Sequence, residues 1–486
     1  MIYFIIPKMS TTLYVHMNCS TLSSNTNTPP YRNNISSQCT ISIPGEELPP
    51  GDVRGIHRIS TSLSTYLNNI TDQIKNRFNE WAIYEKYTNP YEYIYSTVPY
   101  KKQYISKYKP LSHSYFKMIE LMDLFHIESL SRPIKSFHLF SCYENHFETA
   151  TSAKREAIIA DGYSESNATE GLCGYIEALI CKRKNKDDTY YGMADVSSYN
   201  MVQPKLDCFL NEHPNVHILT GKNIRGNSVL PNTGVSLLTI ENLRYCKEQY
   251  GSSMDIITAD SKMPSIHPMS DVILPVDNYQ ETHVFRLLFA QICFALSMQS
   301  MNGSFILKIL DCFTEPMIDI LALLSSFYKR VYITKPNTSR LSSSEKYIVC
   351  KGFLYNDSAS FYPYVVKSFM EMMHIPPNIH IHRLLPGFTV PYYFITKIED
   401  YNAIFGQQQI ENIHYTISMM DIKLCSYDES ERVSFDNTLF STIADNHSTI
   451  VSKSEKLDSI IGENVKKCVY WCIKHNIPYN FVFTQS

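Results

Sequence analysis

The chain of 486 residues carries 44 basic and 47 acidic side chains, which gives a formal net charge of −3. This balance provides no overall attraction to nucleic acid, so any polyanion must be held by a local basic patch. Apolar residues make up 44% of the chain and charged residues 19%, which is typical of a globular protein with one large domain plus appendages, or with two to three domains.

The 13 cysteines are scattered singly, without a CxxC pair. This pattern predicts reduced thiols rather than a disulfide framework or a zinc site, and no other metal site is predicted. The opening MIYFIIPKM is too short for the apolar core of a signal peptide, and no apolar run approaches the length of a membrane span. We therefore expect a soluble, cytoplasmic protein without a membrane partner.

Two N-terminal segments precede the main domain. Residues 1–50 are rich in Ser, Thr, Asn and Pro and are predicted to be a disordered tail. Residues 51–110 are predicted to be a helical segment with one long amphipathic helix, which ends at Asn89-Pro90. Its apolar positions, spaced by three and four, are Ile59, Leu63, Leu67, Ile70, Ile74, Phe78 and Trp81.

Residues 111–355 alternate between predicted strands and helices. The strands are 136–140, 189–195, 215–220, 254–260, 304–310, 331–334 and 346–350, and the helices are 174–181, 239–250, 284–300 and 315–328. This order predicts an α/β fold with a mostly parallel sheet covered by helices on both faces. The final connection is too short for a crossover helix, so the last two strands are predicted to be antiparallel. Residues 356–486 are predicted to be a mostly helical extension.

Four charged residues fall where such a sheet binds its ligands, beyond the carboxyl ends of the strands. Asp260 ends one predicted strand, Lys308 lies inside another, Glu345 borders the last strand, and Lys117 lies on the helix before the first strand. Taken singly, each has an ordinary structural explanation, such as a strand-end turn for the acid or a solvated ammonium for the lysines. Their common position at one edge of the sheet distinguishes them as a set.

The order Lys, Asp, Lys, Glu on these elements resembles the FtsJ/RrmJ-type family of RNA 2′-O-methyltransferases, most closely the cap-specific version of large cytoplasmic DNA viruses. The resemblance covers about residues 80–353, with pieces such as NPYEYIY, KPLSHSYFKMIEL, DIITAD and GSFILKILDCFT. Its most specific piece is KPNTSRLSSSEKYIV, similar to the family's K-P-x-x-S-R…S-E-[KR]-Y-x-V segment. The resemblance implies a Rossmann-like methyltransferase sheet, S-adenosylmethionine as methyl donor and a catalytic tetrad of Lys117, Asp260, Lys308 and Glu345.

The reaction explains why these residue types are needed. A ribose 2′-hydroxyl must lose its proton while it attacks the methyl carbon of a sulfonium donor. Lys308 serves as the base only if its pKa, ~10.4 when free, falls towards ~7–8, and burial and the nearby cation Lys117 both favour this change. Asp260 and Glu345 orient the two ammonium groups and by themselves act in the opposite direction.

The donor site is predicted at Glu170-Gly171-Leu172-Cys173-Gly174-Tyr175, which matches the family's E-G-P-G-G-F turn except for Leu172 and Cys173. Glycines let the backbone approach the donor, and the helix N-terminus favours its carboxylate. About thirty residues separate this turn from the strand 136–140, so either they are an insertion or the first strand is 156–161. A rival alignment on FHLFSCYENHF loses every glycine and implies an inactive pocket.

Two further positions complete the predicted donor site. An acid at the end of the second strand commonly binds ribose hydroxyls, so Asp195 is a candidate for this contact, with a plain strand-end turn as the alternative. Gly221, which follows the third strand, is expected to shape the wall beside adenine.

Basic residues in two segments form the predicted RNA patch, where neutralised phosphates would make binding salt-dependent. They are Lys101, Lys102, Lys107 and Lys109 before the domain, and Lys335 and Arg340 on the last connection.

The resulting prediction is an enzyme that methylates the first transcribed ribose of capped mRNA, with RNA and other capping enzymes as partners. If the chain is viral, its location is the host cytoplasm or the virion. Methylation of ribosomal or transfer RNA by the same residues is one alternative. A catalytically degenerate paralogue that binds RNA or a partner enzyme is another.

Overall fold

The computed structural model describes residues 15–17, 59–99, 101, 103–140, 174–193, 206–219, 236–260, 278–375, 381, 383–385, 388–427 and 440–483. The predicted disorder of the first 50 residues falls outside this set, except for Val15–Met17, which form a short strand. Within the described residues, no helix combines the length and the apolar character needed to cross a membrane.

In the part of the chain that the structure describes, eight strands form one sheet. They are β1 (Val15–Met17), β2 (Lys135–Leu139), β3 (Thr189–Met193), β4 (Val216–Leu219), β5 (Met254–Ala259), β6 (Gln299–Ile309), β7 (Tyr328–Thr334) and β8 (Lys346–Phe353). The spatial order is β1-β7-β8-β6-β5-β2-β3-β4. Neighbours from β4 to β6 are parallel, whereas β8 is antiparallel to both β6 and β7. The predicted mostly parallel sheet with an antiparallel final pair is confirmed, and the fold is Rossmann-like.

Helices cover both faces of this sheet. They are α1 (Thr61–Lys75), α2 (Phe78–Thr88), α3 (Ser114–Phe125), α4 (Gly174–Arg183), α5 (Ile240–Tyr250), α6 (Asn278–Met298), α7 (Glu315–Phe327), α8 (Tyr362–His374), α9 (Tyr392–Tyr427) and α10 (Phe440–Lys474). In one core cluster, helices α5, α6, α7 and α8 and the start of α9 pack against alternate strand residues, including Phe305 and Leu307. The other joins α3, α4 and α10 to the intervening residues, including Ile306. Side chains of a strand alternate between faces, so β6 contributes to both cores.

The N-terminal helical segment differs from its prediction because it forms two helices instead of one. At the break between α1 and α2, Arg77 has non-helical backbone angles, and its guanidinium binds Glu80 and Asp421. Apolar side chains of both helices still pack in one cluster with α9. The spacing therefore identified the buried face but not the interruption.

The described helices of the C-terminal extension pack directly against earlier parts of the chain. Asn412 on α9 donates a hydrogen bond to the carbonyl oxygen of Thr88 at 3.1 Å. The Trp471 ring of α10 contacts Phe116 of α3, and Nδ1 of His475, the residue after α10, lies 2.6 Å from Asp123 of α3. These contacts fix α3 between the sheet and the extension, which matters because α3 carries Lys117.

Candidate active site

The parallel strands align their carboxyl ends at one edge of the sheet. Leu139 at the end of β2 is level with Met193 of β3 and with Ala259 of β5. Across the sheet these strands lie in the order β4-β3-β2-β5-β6, so the direction of the chain order reverses between β2 and β5, and ligands of such sheets bind at this reversal. Asp260 follows Ala259 directly and is only 3% exposed, so its carboxyl group lies at this point.

Strand β6 places Lys308 next to Asp260. Leu307 and Ile309 pack in the core on one side of the sheet, so the alternation of side chains turns Lys308 to the other side, which α3 covers. Lys308 is 7% exposed. Burial of an ammonium group is costly without partners, and the structure supplies two carboxylates.

The four residues predicted as a tetrad form one cluster. Lys308 Nζ lies 3.0 Å from Asp260 Oδ1 and 3.5 Å from Glu345 Oε2. Lys117 Nζ, reaching in from α3, lies 2.9 Å from the Glu345 carboxylate. Both ammonium groups therefore contact one carboxylate, which makes them close neighbours in a largely buried setting.

Glu345 is the residue that links the two lysines. Burial by itself would raise its pKa, but the positive charges of Lys117 and Lys308 reverse this effect and hold the pKa well below its usual range. The hydroxyl groups of Ser339 and Tyr347 also donate hydrogen bonds to this carboxylate, at 2.8 and 3.0 Å. Glu345 is consequently a fixed negative charge between two cations.

The connection between β7 and β8 is buried, although its composition resembles a solvated hairpin. Lys335 is 6% exposed, and its ammonium group donates hydrogen bonds to the carbonyl oxygens of Ser343 and Glu345. Burial, followed by the charge of Lys346, lowers the pKa of Lys335 to about 7. This placement argues against the predicted contact with RNA phosphates, because Lys335 is directed into the connection itself.

Arg340 also faces inward. Its guanidinium lies 3.0 Å from Glu85 and 2.9 Å from Glu92, both of which are buried. Burial would raise the pKa of Glu92, but the charge of Arg340 lowers it to about 2. An arginine already paired with two buried carboxylates is poorly suited to bind RNA, so this placement also argues against the predicted contact of Arg340 with RNA phosphates.

Further contacts hold the same connection in place. Glu120, one helical turn from Lys117 on α3, accepts hydrogen bonds from the backbone amides of Asn337 and Thr338, at 2.8 and 3.2 Å. Gln409 of α9 donates a hydrogen bond to Ser342 O at 3.0 Å. The segment that carries Glu345 is thus tied to α2, α3 and α9.

Sequence reasoning missed the three supporting acids Glu85, Glu92 and Glu120. Each interrupts an apolar or aromatic stretch, as in NPYEYIY and KMIELM, and an acid in such a place signals a buried partner of opposite charge. The basic residues in the connection between β7 and β8 were the corresponding signal, because they are candidates for the partners of these buried acids.

The donor side is described in part. Helix α4 begins at Gly174, where an added Cβ atom would lie 2.3 Å from Ser112 Oγ, so a larger residue would have to displace this neighbouring hydroxyl group. The buried Tyr175 follows, and burial together with the negative charge of Asp260 raises the pKa of its hydroxyl group well above its usual range. The other four predicted donor residues, Glu170, Gly171, Asp195 and Gly221, lie outside the described residues.

The position of β2 bears on the alternative first strands. The central place beside β5 belongs to Lys135–Leu139, and the next described helix along the chain starts at Gly174. This arrangement favours an insertion between the first strand and the glycine turn over a first strand at 156–161, which lies outside the described residues.

The predicted basic patch before the domain has a different setting from Lys335 and Arg340. Lys101 is exposed, with its ammonium group 5.0 Å from the centre of the Phe483 ring. Lys102 lies outside the described residues. Lys107 and Lys109 are exposed.

Comparison with known proteins gives this site a family context. Residues 180–353 match the family model described as FtsJ-like methyltransferase. The chain contains an FtsJ-like methyltransferase domain. The match includes Asp260, Lys308 and Glu345, whereas Lys117 and the glycine turn precede it.

Three curated relatives of the FtsJ-like domain are cap-specific mRNA (nucleoside-2′-O-)-methyltransferases. Enzyme 2 of Drosophila melanogaster is 26% identical over 186 residues, covering 37% of this chain and 25% of the relative. Enzyme 1 of Trypanosoma cruzi is 44% identical over 79 residues, or 16% of this chain and 22% of the relative. Enzyme 1 of Trypanosoma brucei brucei is 29% identical over 155 residues, or 32% and 41%. The chain spans less than half the length of each.

Proposed function

We propose that this chain is an S-adenosylmethionine-dependent RNA ribose 2′-O-methyltransferase that acts on the first transcribed nucleotide of capped mRNA. The observation that carries the proposal is the buried cluster of two ammonium groups and two carboxylates at the edge of the sheet where β5 and β6 end and the antiparallel β8 begins. A buried carboxylate whose pKa is lowered by two neighbouring cations, at the ligand-binding edge of such a sheet, is typical of an active site.

The cluster suits proton removal from a sugar hydroxyl. Lys308 accepts the 2′-hydroxyl proton as the oxygen forms its bond to the methyl carbon, and the carbon–sulfur bond of the donor breaks. Lys117, which shares Glu345 with Lys308, favours the neutral amine that this step requires. Asp260 and Glu345 hold the two amines in place, and positioning of this kind supplies part of the rate.

S-Adenosylmethionine, when bound, supplies the electrophilic methyl group on a sulfonium. Within the described residues, the start of α4 at Gly174 fits its carboxylate, because a helix N-terminus attracts negative charge. Tyr175 lies next to Asp260, which connects this helix to the tetrad. The proposal also assigns donor binding to Glu170, Gly171, Asp195 and Gly221.

The capped substrate is supported by the relatives, whose names specify mRNA caps in an insect and two trypanosomes. The alignments cover less than half of each relative. We therefore propose the capped substrate, the cytoplasmic location and the contact with other capping enzymes together. The proposal retains Lys101 and Lys102 as RNA contacts.

The decisive experiment measures methyl transfer from labelled donor to a short capped RNA, with the uncapped RNA in parallel. We expect transfer to the capped RNA and its loss in Lys308→Ala, with donor affinity by calorimetry nearly unchanged. Lys329→Ala, an exposed lysine on the nearby strand β7, is the matched control and should keep full activity.

Each outcome has a definite meaning. Substantial turnover in Lys308→Ala would remove the proposed base, and equal transfer to both RNAs would remove the cap assignment. Absence of donor binding at millimolar concentration would favour the degenerate paralogue instead.

A further inference from the structure

Two segments far apart in the sequence run side by side at one surface. Lys107 N donates a hydrogen bond to Pro478 O at 2.8 Å, and Asn480 N donates one to Ile105 O at 2.9 Å. Ser106 and Tyr479 form an antiparallel bridge between these bonds. The last described residues of the C-terminal extension are thus attached to the segment that leads into α3.

This contact alternates lysines with aromatic rings. Lys107 Nζ lies 4.7 Å from the centre of the Phe481 ring, and Lys109 Nζ lies 5.2 Å from that of Tyr104. The Phe481 side chain nevertheless remains 62% exposed. We refer to Lys101, Tyr104, Lys107, Lys109 and Phe481 as the basic–aromatic surface.

The lysines of the basic–aromatic surface are available to an external anion. Among the residues that the structure describes, no carboxylate lies within 4 Å of the ammonium groups of Lys101, Lys107 or Lys109. The chain as a whole has a net charge of −3, so the positive charge of these exposed lysines is local and does not reflect an overall basic composition. Lysines for phosphates combined with exposed rings for bases are the combination that binds single-stranded nucleic acid.

The basic–aromatic surface is also close to the tetrad along the chain. Beyond Lys109, the backbone amide of Leu111 donates a hydrogen bond to Glu177 of α4 at 2.8 Å, and α3 begins at Ser114. An extended stretch to Ser114 followed by one helical turn to Lys117 spans at most about 22 Å. A short unpaired RNA can bridge this distance.

We propose that the basic–aromatic surface binds the unpaired RNA that extends from the reacting nucleotide, with Phe481 stacking on a base and the lysines neutralising phosphates. The C-terminal extension, through Phe481, then contributes directly to substrate binding. This inference rests on the proposed function for the identity of the RNA, but binding itself is measurable without methyl transfer.

The test uses fluorescence anisotropy with two labelled capped RNAs, one of about 12 nucleotides and one of about three, chosen to exceed and to fall short of an aromatic binding track. Phe481→Ala should weaken binding of the longer RNA about tenfold and leave the shorter one unchanged, and Phe481→Trp should restore binding. Lys107→Ala should reduce the slope of log affinity against log salt by about 0.7.

Two controls isolate the effect. Val482→Ala alters an exposed neighbour that has no cation–ring contact, and Lys474→Ala removes an exposed lysine on α10. Neither should change binding of the longer RNA. Wild-type affinity in both Phe481→Ala and Lys107→Ala would overturn the inference, as would equal weakening by Val482→Ala.

Methyl transfer then separates the two proposals. If wild-type protein transfers methyl groups and Phe481→Ala raises KM for the longer RNA with kcat unchanged, both proposals stand. If transfer occurs and KM is unchanged, only the role of the basic–aromatic surface is wrong. If wild-type protein transfers nothing, the proposed function fails, and anisotropy still decides whether the surface binds RNA.

Discussion

Two basic segments of this chain have similar compositions and opposite environments. In the connection between β7 and β8, Lys335 and Arg340 are directed inward, to backbone carbonyl oxygens and to buried carboxylates. In the segment of the basic–aromatic surface, Lys107 and Lys109 are exposed and lie over aromatic rings. Both segments were predicted from the sequence to contact RNA.

The difference shows that the groups packed around a basic side chain decide whether it is buried in an ion pair or exposed to solvent. Glu85 and Glu92 lie more than 240 positions before Arg340 in the sequence, yet they meet it in the fold. A buried ion pair of this kind contributes to a unique position of the connection, and hence of Glu345, more than to net stability. Among the described residues, the ammonium groups of Lys107 and Lys109 lie over the rings of Phe481 and Tyr104, and both lysines are exposed.

The largest expected effect comes from breaking the buried network. Arg340→Met leaves the charges of Glu85 and Glu92 buried without this guanidinium, which should lower the free energy of unfolding by about 3–5 kcal/mol. Urea denaturation measures the change. Lys107→Met, the matched substitution at the exposed segment, should change it by less than about 0.5 kcal/mol. Similar losses in the two variants would remove the contrast between the segments.

An intermediate effect concerns the pH dependence of stability. The pKa of Lys335 is lowered from 10.5 to about 7 in the folded chain, so between these pH values the unfolded chain binds more protons than the folded one. Stability from this group therefore rises with pH in that window, and its penalty is complete below about pH 7.

Lys335→Met should remove this dependence. From pH 7 to pH 9, the unfolding free energy of the wild-type protein should rise by about 2 kcal/mol relative to that of Lys335→Met. Urea denaturation at both pH values measures this change. Lys101→Met, at an exposed lysine, should give the same difference at both. A flat difference for Lys335→Met would mean that its ammonium group stays charged throughout.

The smallest effect sharpens the description of the exposed segment. A double-mutant cycle with Lys107→Met and Phe481→Leu should give a coupling of about 0.5–1 kcal/mol in unfolding free energy, as expected for an exposed cation–ring contact. Coupling as large as the loss in Arg340→Met would show that this pair is part of the core and not of a binding surface.

Much of the sheet could be predicted because its signals are local. Runs such as MDIITA and FILKIL carry the β-branched and apolar residues of buried strands, and the predicted strands all overlap those observed. The short connection before Lys346 was enough to predict antiparallel pairing of β7 and β8. The break at Arg77 was not predictable, because it depends on a contact with Asp421 on a distant helix.

The candidate site shows the same division. Residue types and their order along the predicted elements, through the resemblance to the FtsJ/RrmJ-type family, selected Lys117, Asp260, Lys308 and Glu345. Their distances came only from the structure. The roles of Glu85 and Glu92 were missed because charge pairing across the fold leaves no periodic pattern in either segment.

By itself, the sequence determined the alternation of strands and helices, the direction of the last strand pair, and the four residues at the edge of the sheet. Only the tertiary structure decided which basic groups are buried and which face water. The physical reason is that local propensity depends on neighbours along the chain, whereas the environment of a charge depends on groups brought together by packing.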